Sequence, residues 1–284
     1  MLSENNWINI SWDGKPFREK TENLRVTFNS TGGQVRNFNE ICDEVADKIA
    51  TKYDNIHILF SGGSDSENVC NTFLRNKIPF KPVILHYSHV KLPLYEKWYA
   101  DMWCRRNKVE PVILDMSKEV GDARDSQTFG RLKPRLWMTG SYMAILDYAR
   151  ANKAHIVTGN QLEYYPDADQ MEYLRPQLGD YKGFVMEESD NYMEALSPDV
   201  HPWGFYYWNP DIMASFAAAW NTDLYMQENK EAIYNTPFRP KFSFPKGYYS
   251  DKVLQIRDAA RKKFGTIDCA LMGSKEDLIA TLTK

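Results

Sequence analysis

Short apolar runs alternate with helical segments through residues 56–158, and this alternation constrains the fold more than any other feature of the sequence. Four runs favour β-strands and are short enough for a buried sheet: 56–60, 81–87, 112–115 and 154–158. Helical segments lie between them, from near Asp65 to about Asn76, over 94–107 and over 137–151. Such alternation predicts a parallel sheet covered by helices on both faces. We therefore expect an α/β domain at residues 53–200.

Smaller elements flank this domain. Residues 1–52 predict a β/helix extension, because apolar residues alternate at 8–12 and 24–28 and then recur every four positions over 38–52. Residues 201–284 predict a mainly helical region, with helices over 211–220, 224–234, 251–264 and 275–282. Ser274 is expected to cap the last helix. Residues 161–210 are rich in Tyr, Pro, Asp and Trp, and we expect long ordered loops there.

Composition excludes several classes of protein. A formal net charge of -3 gives no general attraction to nucleic acid or to an anionic membrane. The four cysteines are far apart and form no C-x-x-C pair, which argues against a disulfide framework and a compact zinc or iron–sulfur site. Neither a signal peptide nor a long apolar span is seen, so we expect a cytoplasmic protein that does not enter membranes.

The strongest functional signal is the string S-G-G-S-D-S, which directly follows the first strand of the α/β region and precedes a helix. It comprises Ser61, Gly62, Gly63, Ser64, Asp65 and Ser66. Ligands bind at the carboxyl ends of parallel strands, and glycines let backbone N–H groups approach a phosphate at a helix N-terminus. The serines would add hydroxyl donors. Asp65 would repel phosphate, so we expect it to bind Mg²⁺ that bridges phosphate oxygens.

This loop is not a Walker loop, since no lysine follows the glycines. It resembles the S-G-G-x-D-S signature of the ATP-pyrophosphatase (PP-loop) superfamily, which includes GMP synthetase, NAD synthetase, asparagine synthetase, argininosuccinate synthetase and 7-cyano-7-deazaguanine synthase. The resemblance covers roughly residues 55–170. It implies that the chain binds ATP and Mg²⁺ and cleaves ATP between the α- and β-phosphates. It further implies adenylation of a substrate carboxylate or carbonyl oxygen, attack by a nitrogen nucleophile, and a homodimer.

The same resemblance implies roles for residues after two other strands. His86 and Tyr87 would contact the adenine, and Gly159 with Asn160 would let the α-phosphate or ribose approach closely. Packing at the sheet edge and a plain strand-to-loop glycine are the alternatives. The 163–167 segment resembles the Y-P-D step of 7-cyano-7-deazaguanine synthase and the P-D step of GMP synthetase. Asp167 would then bind Mg²⁺ or position the substrate, with an ordinary Pro-Asp turn as the alternative.

Further basic residues are candidates for stabilising phosphate charge. Arg131, Lys133 and Arg135 cluster before the helix at 137–151, and we expect Lys133 and Arg135 to act in catalysis with Asp65 and Ser66. A solvated basic turn is the alternative. Arg239 and Lys241 are expected to close over the site from the C-terminal region.

Two other functions remain open. A sulfur-transfer or phosphoadenylylsulfate-reductase-like member would need reactive cysteines, but Cys70 is expected to pack in a helix and the surroundings of Cys269 match no such motif. A non-catalytic ATP- or AMP-binding module would not need the carboxylate of Asp65. The chain has no room for a glutaminase domain, so ammonia would come free or from a separate subunit.

Overall fold

The structure is a computed structural model that describes residues 7–12, 24–29, 32–86, 95–115, 139–165, 178–187, 203–224, 226–235 and 269–284. Its strands are β1 (Ile8–Trp12), β2 (Leu24–Phe28), β3 (Ile56–Leu59), β4 (Lys81–His86), β5 (Val112–Asp115), β6 (His155–Thr158), β7 (Glu163–Tyr165), β8 (Gly183–Glu187), β9 (Trp203–Gly204) and β10 (Cys269–Gly273). Its α-helices are α1 (Phe38–Lys52), α2 (Ser64–Arg75), α3 (Tyr95–Asn107), α4 (Thr139–Asn152), α5 (Pro210–Ala219), α6 (Met226–Tyr234) and α7 (Lys275–Leu282). A 3₁₀ turn covers Phe205–Tyr207.

A five-stranded sheet in the order β5-β4-β3-β6-β9 forms the centre of the fold, and all of its neighbouring strands are parallel. This confirms the α/β class expected from the sequence. The chain leaves β3 toward β4 and β5 on one side and then returns to β6 on the other side. The direction of the strand order therefore reverses between β3 and β6. In sheets of this kind, ligands bind beyond the carboxyl ends of the strands at that point.

Burial explains why the central strands are short and almost wholly apolar. Most residues of β3 and β6 are buried, because helices cover both faces of the sheet. The edge strand β5 instead alternates half-buried and exposed residues. Helix α1 presents Ile41, Val45 and Ile49 to the core at a four-residue spacing, as the periodicity predicted. The four strands predicted within residues 56–158 and the helices between them are confirmed, and their bounds agree to within two residues.

The expectation of long loops over 161–210 was wrong at three places. β7 and β8 lie in an antiparallel sheet of order β10-β8-β7, and β9 extends the central sheet beside β6. These strands are two to five residues long and pair with distant segments, so the local sequence carries little periodicity. β10 likewise interrupts the region expected to be mainly helical. α5, α6 and α7 confirm three predicted helices, and the Ser274 hydroxyl caps α7 by accepting from the Asp277 N–H at 3.1 Å.

The main hydrophobic cluster joins the N-terminal elements, the central sheet and the C-terminal elements of the described chain, whereas the buried residues of α4 form a separate cluster with Ile156. Phe38 and Ile41 of α1, Phe73 of α2, Phe216 of α5 and Leu278 of α7 belong to the main cluster. The division of the chain near residues 52 and 200 stays a prediction. The predicted helix over 251–264 lies outside the described residues. None of the described helices combines the length and the apolarity needed to cross a bilayer.

His57 is a buried titratable group inside the central sheet. Its Nε2–H donates to Asn55 Oδ1 at 3.1 Å, and its Nδ1 accepts from the Tyr148 hydroxyl at 2.9 Å. Burial lowers the pKa of His57 to about 4, and the positive charge of Lys81 contributes to this shift. The folded protein therefore holds His57 neutral over a range in which an unfolded chain would protonate it.

We expect this histidine to make stability fall in mild acid. Between pH 6.5 and about 4 the unfolded chain binds a proton at His57 that the folded protein does not, so the free energy of unfolding rises with pH there. Urea unfolding across this range should show the decline in the wild type and a shallower one in His57→Gln. Tyr148→Phe keeps the buried imidazole, so it should be less stable throughout but keep the slope. Equal slopes in the wild type and His57→Gln would contradict the assignment.

Candidate functional site

The loop between β3 and α2 lies at the carboxyl end of β3, and its backbone is fixed by local contacts. The Phe60 N–H donates to the Val83 carbonyl at 2.9 Å, which continues the pairing of β3 with β4 into the loop. Gly62 then turns the chain with φ of +91°, in the left-handed region that favours glycine. Gly63 is the N-cap of α2, and among the described residues no side chain caps this helix. The first turn of α2 thus has backbone N–H groups that no described side chain caps, at the carboxyl edge of the sheet.

The serine hydroxyls hold the loop together. The Ser66 hydroxyl donates to the Gly63 carbonyl at 3.2 Å and shares a 3.1 Å hydrogen bond with the Ser61 hydroxyl, which also accepts from the Gly63 N–H at 3.1 Å. Ser61 is exposed, whereas Ser64 and Ser66 are buried. The hydroxyl donors of Ser61 and Ser66 are therefore used within the loop, and the donors that remain for a ligand are mainly backbone N–H groups.

Gly159 touches the start of α2 directly. A Cβ atom at this position would lie 2.8 Å from Ser66 Cα and 2.9 Å from Ser66 N. The sequence predicted that a glycine here lets a ligand approach closely. In the structure the group that approaches is the backbone of Ser66, so the glycine is needed for packing β6 against α2.

Two buried side-chain nitrogens lie on segments that leave the same edge of the sheet. His86 ends β4, three residues beyond the Val83 carbonyl that binds the loop, and its buried Nδ1 has no hydrogen-bond partner among the described residues. Gln161 follows Gly159 and Asn160, and its buried Nε2 is likewise unpartnered within the described chain. His86 was expected at the nucleotide from the sequence, and Gln161 was not. Tyr87 lies outside the described residues.

Asp65 forms an ion pair with Lys230. The Lys230 ammonium donates to Asp65 Oδ2 at 2.8 Å and to Glu163 Oε1 at 3.1 Å, and its side chain is only 4% exposed. Burial opposes the charge of Lys230, but the charges of Asp65 and Glu163 outweigh burial and raise its pKa above the usual value. Lys230 is therefore a permanently charged group that joins α6 to the first turn of α2 and to β7.

Two buried tyrosines complete the surroundings of Asp65. The Tyr234 hydroxyl donates to Asp65 Oδ1, and the Tyr206 hydroxyl donates to the Asp65 carbonyl at 3.0 Å while it accepts from Asn68 Nδ2 at 3.0 Å. Burial and the nearby charge of Asp65 raise the pKa of both phenols, so both stay protonated donors. Phe38 and Tyr206 stack on Tyr234 with ring centroids 5.8 Å and 6.1 Å away, which anchors α6.

These contacts argue against Asp65 as a direct ligand of Mg²⁺. Both of its carboxylate oxygens already accept hydrogen bonds, one of them from a cation. A divalent ion at Asp65 would be repelled by the neighbouring ammonium. Among the described residues, no group of three or more His, Cys, Asp or Glu side chains is arranged to hold a metal ion. Asp167, the other expected ligand, lies outside the described residues.

The ion pair of Asp65 with Lys230 also changes how a loss of activity in the Asp65→Ala variant would be interpreted. If Asp65 only bound Mg²⁺, this substitution would remove activity and leave the fold intact. In the structure it would leave the buried Lys230 without one of its two partners, a change that costs about 3–5 kcal/mol in buried ion pairs. Loss of activity in this variant would therefore not identify a catalytic role.

The structure thus brings part of the predicted site together and adds residues that the sequence did not indicate. Ser61–Ser66, His86, Gly159 and Asn160 lie at one edge of the sheet. Lys133, Arg135, Arg131, Arg239 and Lys241 lie outside the described residues and stay predictions. Lys230, Tyr234, Glu163 and Tyr206 were missed; the available signal was the four-residue spacing of Lys230 and Tyr234, which places them on one helix face.

Thiol chemistry finds no support in the described cysteines. Cys42, Cys70 and Cys104 are free and buried. Burial raises the pKa of Cys42 to about 12 and that of Cys104 to about 11, and it raises the pKa of Cys70 well above the usual value. A nucleophilic cysteine needs the opposite shift.

No protein-family model and no curated protein matches the sequence. Solved structures that resemble it include the NH3-dependent NAD synthetase from Campylobacter jejuni in complex with nitrate, with 17% identity, a TM-score of 0.38, and coverage of 86% of this chain and 89% of that one. The NMN synthetase from Francisella tularensis has 10% identity, a TM-score of 0.36, and coverage of 81% and 95%.

A third such structure is the glutamine-dependent NAD+ synthetase from Acinetobacter baumannii in complex with ADP, with 12% identity and a TM-score of 0.36. The match covers 50% of this chain and 31% of that enzyme. Likenesses at this level define no reaction for this chain, whose fold class is given by its own sheet order.

We expect Gly159→Ala to destabilise the loop locally. The added methyl group would meet the Ser66 backbone, which cannot move without shifting α2, so the free energy of unfolding should fall by about 1–3 kcal/mol. Hydrogen exchange should rise at residues 61–67. Gly33→Ala is a matched control, because its Cβ would be similarly crowded, 3.0 Å from Pro210, away from the loop. Unchanged exchange at 61–67 in Gly159→Ala would show that the contact does not hold the loop.

Proposed function

We propose that the chain binds ATP at the Ser61–Ser66 loop and cleaves it to AMP and pyrophosphate, transferring the adenylyl group to a substrate oxygen. The observation that carries this proposal is the geometry of the loop: a lysine-free turn with Gly62 at positive φ, followed by a helix that no described side chain caps, at the point where the sheet order reverses. Such a turn presents backbone N–H groups to phosphate oxygens.

The chemistry follows from holding the outer phosphates still. A substrate carboxylate or carbonyl oxygen attacks the α-phosphorus, the bond from the α-phosphorus to the bridging oxygen breaks, and pyrophosphate leaves with its electron pair. A nitrogen nucleophile then displaces AMP from the adenylated substrate. The protein contributes position and stabilising N–H donors rather than a covalent intermediate. Mg²⁺ enters as part of the ATP substrate, since the contacts of Asp65 leave no fitted resident site there.

The unpartnered nitrogens suggest where the rest of the nucleotide and the acceptor lie. His86 Nδ1, at the end of β4, is suited to the adenine side of the phosphate loop, and Gln161 Nε2, after β6, is suited to an acceptor oxygen. Lys133, Arg135 and Asp167 are proposed to complete the site. Ammonia or an amine, free or from a separate subunit, would serve as nucleophile, and the protein would act as a homodimer.

A second function is favoured by one specific observation. The ion pair of Asp65 with Lys230 gives the carboxylate a role that needs no metal and no turnover. A nucleotide-binding module that acts through partners is therefore the alternative, and the products formed from ATP distinguish the two.

Incubation with α-labelled ATP and Mg²⁺, together with a panel of carboxylate and amide-forming substrates, should release labelled AMP and pyrophosphate. Gly62→Ala should abolish this release and weaken nucleotide binding, because alanine is strained at φ of +91° and the turn must change. Gly179→Ala is a matched control, since Gly179 also has positive φ, +53°, but lies in an exposed turn with no atom near its added methyl group. It should lose some stability and retain product formation.

Each of the other possible outcomes would indicate a different function. ADP and phosphate as products would indicate a kinase-type ATPase and overturn the proposal. Tight ATP binding without any product across the panel would favour the binding module. Equal activity in Gly62→Ala and the wild type would show that the loop is not part of the nucleotide site.

A further inference from the structure

We propose that Lys230 is the resident cation of this site: its ammonium occupies the space between Asp65 and Glu163 in which two carboxylates would otherwise bind a divalent metal. This inference rests on the proposed function only in treating Ser61–Ser66 as the nucleotide loop. It assigns Lys230 as a positioning residue that joins the phosphate loop to the segment after β6.

The geometry supports a cation that serves both carboxylates. Lys230 Nζ lies 2.8 Å from Asp65 Oδ2 and 3.1 Å from Glu163 Oε1, so the two oxygens face a common centre. Mg²⁺ and Mn²⁺ favour carboxylate oxygens, and Mg²⁺ holds them at about 2.0–2.1 Å. The Lys230 ammonium therefore lies at the position that a metal ion would take if the two carboxylates moved slightly toward each other.

The burial of Lys230 shows that the ammonium is fixed in place. Its side chain is 4% exposed, whereas those of Asp65 and Glu163 are 23% and 24% exposed. Lys230 and Tyr234 lie one turn apart on α6, and both donate to Asp65. The stacking of Tyr234 against Phe38 and Tyr206 fixes that turn of the helix. The backbone that carries Lys230 is thus held beside the two carboxylates.

The charge balance indicates what Lys230 does for the loop. Among the described residues, Lys230 is the cation that pairs with both carboxylates, and loss of its ammonium would add one formal negative charge beside the phosphate loop. That additional charge would repel the polyphosphate of ATP. Lys230 therefore favours nucleotide binding by neutralising carboxylates, without contacting the nucleotide itself.

The first test needs only the wild-type protein without nucleotide. Mn²⁺ titrated to about 1 mM and followed by the electron paramagnetic resonance of the free ion should show no binding that depends on Asp65, since Lys230 fills the position. Stoichiometric Mn²⁺ binding to the wild type that is lost in Asp65→Asn would overturn the proposal. Because no ATP is present, this result stands whether or not the chain cleaves ATP.

The second test removes the ammonium. Lys230→Met should gain about one Mn²⁺ site per chain, and Mg²⁺ should raise its thermal midpoint by about 3 °C while leaving that of the wild type unchanged. The site should disappear in the double variant Glu163→Gln with Lys230→Met. A variant that is merely less stable and gains no metal binding would show a purely structural ion pair and overturn the proposal; if it does not fold, the wild-type titration decides.

A control and a kinetic measurement complete the design. Lys97→Met breaks the ion pair of Lys97 with Asp101, at 2.6 Å on α3, and leaves a single carboxylate, so it should gain no metal site. If ATP is cleaved, Lys230→Met should raise KM for ATP about tenfold with a smaller effect on kcat, and added Mg²⁺ should restore KM. A fall in kcat alone that Mg²⁺ does not reverse would contradict the positioning role.

Discussion

The first turn of α2 is the constraint on which the site depends, because it is held from several sides at once. β3 places the loop at the carboxyl edge of the sheet. Gly159 allows the end of β6 to contact the backbone of Ser66, and the Tyr206 hydroxyl donates to the Asp65 carbonyl. Lys230 and Tyr234 then engage the Asp65 carboxylate. A helix start fixed in this way can present its N–H groups to an anion without rearranging, which is the physical basis of preorganised binding.

The central part of the fold could be predicted from the sequence because its signals are local. The strands at 56–59, 81–86, 112–115 and 155–158 are short apolar runs that alternate with helices along the chain, and α1 carries its apolar residues at helical spacing. β7 and β9 could not be predicted in the same way. They have three and two residues, and they exist because β8 and β6 offer them pairing partners in the folded chain. Partners supplied by tertiary structure leave little trace in a local pattern.

The candidate site likewise contains some features that have a local signal in the sequence and others that depend on the fold. The Ser61–Ser66 loop could be identified as a candidate phosphate-binding turn, because such a turn needs glycines and small polar residues close together in the sequence. The need for a glycine at position 159 was also predicted, but the atoms that require it belong to Ser66 rather than to a ligand. The role of Asp65 could not be read from the motif, since its partner Lys230 is 165 residues away and a lysine gives no sequence sign of being buried. The loop could therefore be predicted from the sequence, whereas the charged partner of Asp65 could be identified only from the fold.

The long separation between Asp65 and Lys230 has a consequence for synthesis of the protein. A growing chain on the ribosome emits β3 and α2 early, whereas α6 follows only after more than half of the remaining sequence has been made. Until then the Asp65 carboxylate has neither its ammonium nor the Tyr234 hydroxyl. The turn after β3 can form from local contacts, but the ion pair and the hydrogen bond that complete the surroundings of Asp65 can form only after α6 has been made and has docked.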